Sequence, residues 1–363
     1  MHVMMMVNDT TFTYNLRKEI LRKLIHDGHK VTVMCQVLSY KEELEAMGCS
    51  IVDVKTGRRG TNPFADLQLF RQYFSQLRKL RPDIILSNNI KPNIYGGLAC
   101  RMLGIRYMPN ITGLGTAVEF PGKLQMLTTR LYKWGIAGAE CVFFQNSENE
   151  QFFRERNMLS RKSRTVLLPG SGVNLDIHQA KPYPTDETIH FLFIARLMKE
   201  KGIDLYLAAA KAIHEKYPAT LFHICGGCDD EKYLSIVRQA EKDGYIRYHG
   251  EQKDMPRFYE MAHCIVHPSY YPEGMSNVLL EAAASARPII ATDRSGCRET
   301  VDDSKTGYII PVKNEPALIE AIEKFMNLSW EEKRKMGLAG RKKMEKEFDR
   351  EIVVKLVVDE VNK

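Results

Sequence analysis

Residues 264–286 read CIVHPSYYPEGMSNVLLEAAASA. Cys264 to Val266 form an apolar run that reads as a short buried strand, and Pro268 ends it. A turn rich in Tyr, Pro and Gly follows, and the Ala-rich segment from Asn277 onward reads as a helix. A strand therefore passes into a helix through a loop ending in Gly274 and Ser276. The N–H groups of residues 274–277 are expected to be free at the helix start, where backbone dipoles favour an anion such as phosphate. Two carboxylates bracket them: Glu273 on the loop, and Glu281 about two helical turns beyond it. Asn277 and Glu281, spaced i, i+4, share a face. Backbone donors for phosphate flanked by carboxylates for hydroxyls suit a sugar nucleotide.

The same alternation extends in both directions. Toward the N-terminus, 2–7, 31–35, 50–54, 83–87, 106–112 and 141–145 read as strands. Helices are expected from Tyr14 to His26, near 63–80 and near 92–103. The loop after the first strand, Asn8-Asp9-Thr10-Thr11, has no glycine, so the dinucleotide fingerprint is missing and a nicotinamide dehydrogenase is disfavoured. In the helix near 63–80, Phe64, Leu67, Phe70, Phe74, Leu77 and Leu80 make the stripe expected to cover a sheet, with Arg71, Arg78 and Lys79 opposite. A second series of strands and helices starts at 189–197 and ends in the apolar 351–361. This spacing implies an α/β protein of two Rossmann-like, doubly wound domains with parallel sheets. A length of 363 residues fits two such domains, each of about 150–200 residues. TVLLPGSGVN (165–174) reads as the crossover. The boundaries expected are 1–170 for the N-terminal domain, 171–345 for the C-terminal domain, and 346–363 for a terminal helix.

An apolar fraction of 44% is that of a soluble globular protein. No uncharged apolar run reaches the ~18 residues of a membrane span. The opening MHVMMMVNDTTF reads as a strand rather than a signal peptide, so a cytoplasmic location is expected. The eight cysteines suit reduced thiols. Cys225 and Cys228 make one C-x-x-C without a second pair, so no metal site is expected. Residues 1–180 carry 24 Lys/Arg against 15 Asp/Glu, whereas the remainder carries 28 against 30. The basic first half calls for an anionic partner such as phospholipid or a polyprenyl diphosphate. No nucleic-acid module is recognisable. Residues 124–134, short, basic and carrying Trp134, are the candidate for contact with an anionic membrane surface.

Two further clusters fall where strands end. Gly113-Leu114-Gly115 follows the strand at 106–112, and Lys91 and Asn93 lie on the loop after the strand before it. Both loops occupy the C-terminal sheet edge, where ligands bind in open α/β sheets. In ARLMKEKG, Arg196 and Lys201 lie just past the first strand of the second half. Fixed cations there would offset the charge that grows on a departing nucleoside diphosphate. There is no Asp-x-Asp to hold a divalent ion, so these cations would take its place.

Glu273 and Glu281, Arg196 and Lys201, and the GSGVN crossover at 170–174 together resemble the retaining glycosyltransferases of family four, which have the GT-B fold. The resemblance covers nearly the whole chain. It implies two Rossmann-like domains facing a cleft, with the last helix returning to the N-terminal domain. It further implies that Arg196 and Lys201 bind the donor diphosphate, and that Glu273 contacts the donor sugar. Gly274, Met275, Ser276 and Asn277 would hold a phosphate, and Glu281 the ribose hydroxyls. Gly113 and Gly115 would admit the donor, while 225–231 and Glu251 would frame the base. Many relatives carry an N-domain histidine, yet this chain has none between His29 and His178. Lys91, Asn93, Thr112 or Glu119 are the candidates to replace it. SNNIKPNIYGGLA, ITGLG and PSYYPEGMSNVLLEA are most similar to bacterial enzymes that add N-acetylgalactosamine, galactose or a uronic acid to a polyprenyl-diphosphate-linked sugar. The expected donor is a UDP-sugar, with no metal or other cofactor and a peripheral position on the inner face of the membrane. The competing readings are a sugar-nucleotide epimerase of the same fold and a non-catalytic sugar-nucleotide-binding subunit.

Overall fold

The computed structural model describes residues 1–55, 62–115, 118, 122–159, 163–228 and 230–363. The chain forms two compact units: Met1–Ser171 with Glu273–Met275 and Arg350–Lys363, and Gly172–Pro272 with Ser276–Asp349.

The first unit is built on β1 (His2–Asp9), β2 (Lys30–Gln36), β3 (Ser50–Asp53), β4 (Ile84–Asn88), β5 (Arg106–Ile111), β6 (Cys141–Phe144) and β7 (Arg164–Leu167). All pairings are parallel, in the order β3-β2-β1-β4-β5-β6-β7. The buried runs Val3–Val7 and Ile84–Leu86 explain the sheet's centre, because a parallel strand is covered on both faces. One face packs against helices Thr10–His26 and Arg350–Val361 through Leu21, Leu24, Val354 and Val358. Each such side chain contributes roughly 1.5–3 kcal/mol by leaving water. Arg350 reinforces this contact, its Nη1 lying 3.1 Å from the Glu19 carboxylate.

Three expectations change here. No loop separates β1 from its helix, which begins at Thr10 rather than Tyr14. Asp9 is the N-cap, and its carboxylate accepts from Phe12 N–H at 2.8 Å. In helix Pro63–Leu80 Leu69, Tyr73 and Leu77 are buried and Phe70, Phe74 and Leu80 pack partly buried against the same core, whereas Phe64 is 85% exposed and Leu67 is also exposed. The buried set follows i, i+4, i+8, one row of the helix, while the expected stripe drifts off that row. The third expected helix starts as one π-helical turn, Pro92–Gly96, and continues as Gly97–Leu103. A Cβ at Gly97 would strike Gly135 O, and one at Gly135 would lie 2.6 Å from Ile94 Cα. The missing side chains let this segment meet helix Lys123–Ile136 backbone to backbone.

The second unit holds β8 (Ile189–Ile194), β9 (Thr220–Cys225), β10 (Ile246–Tyr248), β11 (Cys264–His267), β12 (Ile289–Thr292) and β13 (Gly307–Ile310). They are parallel, in the order β10-β9-β8-β11-β12-β13. Phe191, Phe193, Tyr206, Phe222, Leu318 and Phe325 centre its core. Strand order reverses between β1 and β4 in the first unit and between β8 and β11 in the second. At such a switch point the crossing loops part on opposite sides, leaving a crevice beyond the strand ends.

Candidate active site

The switch point of the second unit gathers several residues of opposite chemistry. Arg196 follows β8 and is exposed, with no ion-pair partner among the described residues. Lys201 ends a 3-10 turn, Lys199–Lys201, and Gly202 follows it with φ +79. Backbone bonding joins this turn to the loop after β11. Tyr270 N–H donates to Glu200 O at 2.9 Å, and a Cβ on Gly202 would collide with Pro268 O. Lys201 Nζ stands 4.9 Å from the Tyr271 ring centre, a cation–π approach. Burial is the main cause that brings the Lys201 ammonium down to about 8; the Arg196 charge adds to it and Cys297 acts against it. An incoming anion would relieve that repulsion.

The same loop leads to helix Asn277–Ala284. His267, at the end of β11, is fully buried and held down to about 3, first by burial and then by Lys201. Its Nε2 faces Ser276 Oγ at 3.4 Å. The expectation of four free N–H groups at 274–277 changes: Gly274 N–H donates to Thr112 O at 3.2 Å, and Ser276 N–H to Gly296 O at 2.8 Å. The N–H groups of Met275, Asn277 and Val278 donate to nothing among the described residues. Asn277 Oδ1 is also buried without a partner. Half-buried Glu281 accepts from Tyr259 OH at 2.9 Å, which fixes the carboxylate on the helix face.

Most of the remaining candidates belong to the first unit, and those of 225–231 and Glu251 to the second. Glu273, Gly274 and Met275 group with it. Asn146 Nδ2 donates to Gly274 O at 2.6 Å, and a Cβ on Gly274 would lie 2.7 Å from Thr112 O, so the position requires glycine. Gly113 and Gly115 have φ +136 and +66, which fits a turn only glycine makes freely. Lys91 is paired with Asp66 at 3.0 Å. Asn93 faces inward instead of reaching out from its loop: its Oδ1 accepts from Ser87 Oγ at 2.8 Å and its Nδ2 donates to Asn110 O at 2.8 Å. Glu119 lies outside the described residues. Cys225 is buried and Gly226 N–H donates to Gly250 O, joining the two loops that precede Cys228 and Glu251.

Motif reading missed His267, Tyr259, Tyr271 and Cys297. Of these, His267 and Tyr271 stand inside residues 264–286, but their environment depends on residues 196–202, which are distant in sequence. Arg196 and Lys201 thus place two cations near the start of helix Asn277–Ala284, where backbone dipoles also favour negative charge.

Similarity to known proteins extends over both units. The family described as glycosyl transferase 4-like matches residues 2–146, and that described as glycosyl transferases group 1 matches residues 176–343. The chain is 25% identical over 347 residues to the N,N'-diacetylbacillosaminyl-diphospho-undecaprenol alpha-1,3-N-acetylgalactosaminyltransferase of Campylobacter jejuni, covering 90% of this chain and 89% of that protein. It is 25% identical over 351 residues to the capsular polysaccharide biosynthesis glycosyltransferase CapM of Staphylococcus aureus, with 92% and 89% covered. Its fold matches that of Anabaena Alr3699/HepE, solved in complex with UDP, at a TM-score of 0.81 and 14% identity over 100% of both chains. The two family matches span most of the sequence and meet the strand series of both units, and the chain belongs to the glycosyltransferases of the GT-B fold.

Proposed function

We propose that this glycosyltransferase moves a hexose-type sugar (an N-acetylhexosamine, galactose or a uronic acid) from a UDP-sugar to a polyprenyl-diphosphate-linked saccharide, with retention at the anomeric carbon. The observation that carries the reading is the Arg196–Lys201 cation pair at the β8–β11 switch point, beside the start of helix Asn277–Ala284. Charge accumulates on the leaving diphosphate as the glycosidic bond breaks, and cations fixed there lower the barrier in place of a metal ion. Glu281, oriented by Tyr259, is set to accept from ribose hydroxyls, and Glu273 from the donor sugar. The departing phosphate would take the proton of the acceptor hydroxyl on the same face. UDP in the HepE complex and the undecaprenyl-linked acceptor named for the Campylobacter enzyme support these substrate classes.

An acceptor of this kind sits in a membrane, and the first unit carries features to meet it. No described helix is long and apolar enough to cross a membrane. Helix Lys123–Ile136 exposes Leu124, Met126, Leu127 and Trp134 alongside Lys123, Arg130 and Lys133, a combination suited to an anionic surface on the cytoplasmic side. Leu131 packs against the neighbouring core cluster and is no part of this face.

The test is nucleoside diphosphate release from UDP-, GDP- and ADP-sugars, with and without polyprenyl-diphosphate-sugar acceptors. Release from one UDP-sugar only with a lipid-linked acceptor is the expected result; release with water-soluble acceptors alone would overturn the acceptor class. For the membrane face, replacing Leu124, Leu127 and Trp134 with Ser should free the protein from phosphatidylglycerol vesicles in a flotation assay. Unchanged flotation would remove this helix as the anchor.

A further inference from the structure

One carboxylate outside the motifs is bonded to the turn that meets the start of helix Asn277–Ala284. After β12 the chain turns tightly through residues 293–297, and Cys297 N–H donates to Arg294 O at 2.9 Å. Glu299 closes this turn from below. Its Oε2 accepts from Gly296 N–H at 2.7 Å, and its Oε1 accepts from Ser295 Oγ at 3.2 Å. Gly296 has φ +88, a conformation that side-chain-bearing residues rarely hold, so the carboxylate clamp fixes an otherwise permissive peptide. That fixed orientation matters because Gly296 O is the acceptor of Ser276 N–H at 2.8 Å. The same turn region also holds the far end of the loop, since Thr292 Oγ1 donates to Ser269 O. The loop after β11 is thus tied at one end to the last residue of β12 and at the other to the turn that follows it.

From these contacts we infer that Glu299 is a positioning residue for the donor diphosphate, acting through Gly296 and Ser276. Ser276 N–H is drawn inward, and the next two N–H groups, of Asn277 and Val278, are left aimed as one pair. Moving Gly296 O would release Ser276 and rotate that pair. Phosphate oxygens accept best along the N–H direction, so misalignment weakens phosphate contacts while leaving contacts to base and ribose intact. The inference rests on the donor-site reading above.

The experiment compares binding of UDP and of uridine to the full chain by calorimetry, with GDP and ADP as further probes. Glu299→Ala should weaken UDP about tenfold, the loss of roughly one charge-assisted hydrogen bond, and leave uridine within about twofold. Glu299→Gln, whose amide oxygen still accepts from Gly296 N–H, should recover most of the UDP affinity. Equal losses for UDP and uridine, or no loss for UDP, would overturn the positioning role. If Glu299→Ala does not fold, Ser295→Ala removes one of the two clamp bonds and should give a smaller loss in the same direction, confined to UDP. A wild-type chain that binds none of UDP, GDP and ADP overturns the donor-site reading and this inference with it. A wild type that binds UDP beside an unaltered variant overturns this inference alone.

Discussion

The switch points of the two sheets look alike in topology and differ in chemistry. Between β1 and β4, Asn8 N–H donates to Asn89 Oδ1 at 3.2 Å, and Asn89 takes a left-handed φ of +73 to make that bond. Of the cations nearby, Lys91 pairs with Asp66, whereas buried Arg17 has the neutral amide of Asn88 for a partner, its Nε donating to Asn88 Oδ1 at 3.0 Å. Between β8 and β11, Arg196 has no carboxylate partner among the described residues, and its charge bears on Lys201. Strand order therefore says where a crevice lies, and the pairing of charges separates Lys91, matched to Asp66, from Arg196. A cation already matched to an acid gains little from a phosphate, because it must first give up its partner.

The sharpest way to break this comparison is a pair of lysine substitutions. Lys201→Ala should lower turnover by about 10²-fold or more if it meets charge that develops in the transition state. Lys91→Ala should change turnover by less than about threefold, since it removes one half of a partly exposed ion pair. Comparable losses would sink the distinction between the two edges. The pH profile gives a second reading of the same lysine. With its pKa lowered to about 8, Lys201 loses its charge as pH rises through 8, so kcat/KM should fall on the alkaline side there. In Lys201→Arg that fall should move upward, because a guanidinium keeps its proton. An alkaline limb that stays in place would assign it to another group.

A smaller effect is expected at Glu281. Glu281→Ala should weaken donor affinity about tenfold with the fold preserved, and Tyr259→Phe about threefold, since it removes only the hydroxyl that orients the carboxylate. Tyr259 is fully buried against the core, so thermal unfolding of both variants separates lost affinity from lost structure. Donor affinity that is unmoved in Glu281→Ala would take this residue off the ribose.

The alternating strands and the strand, loop and helix of residues 264–284 were legible because local pattern determines them: apolar runs, a proline stop, a glycine-containing loop and an Ala-rich helix. Other features needed the partner surface. Phe64 looks like a core residue until helix Pro63–Leu80 is seen to bury the row through Leu69, Tyr73 and Leu77. The start at Thr10 was readable in principle, because Asp before Thr-Thr is a good N-cap, but the β-branched pair argued the other way. Gly97 and Gly135 carry no sign of each other across 38 residues. Glu299 lies beyond a helix, a strand and a turn from the serine it steers, and only the sheet order brings them together.

The histidines give the same lesson and a last test. His263, His190, His223 and His249 come from four separate segments, yet they form a row. His190 N–H donates to His263 Nδ1 at 3.1 Å; His190 Nδ1 meets His223 Nε2 at 3.0 Å, and His223 Nδ1 meets His249 Nε2 at 2.9 Å. Each ring-to-ring contact needs one N–H and one bare nitrogen, so adding a proton sets two donors against each other. Burial is the main cause that holds His223 down to about 3 and His263 to about 4, with His190 also lowered. Unfolded histidine titrates near 6.5, so the unfolded chain binds more protons from about pH 6.5 downward, and stability declines as pH falls through that window. The first unit contains no fully buried histidine among its described residues. Between pH 7 and pH 5, amide exchange corrected for its intrinsic pH dependence should accelerate in β8 and β9 by roughly tenfold, about one pKa unit's worth of stability. The strands β1 and β4 should change less. Equal acceleration in both sheets would mean that carboxylates shared by the whole chain, and not this row, set its response to acid.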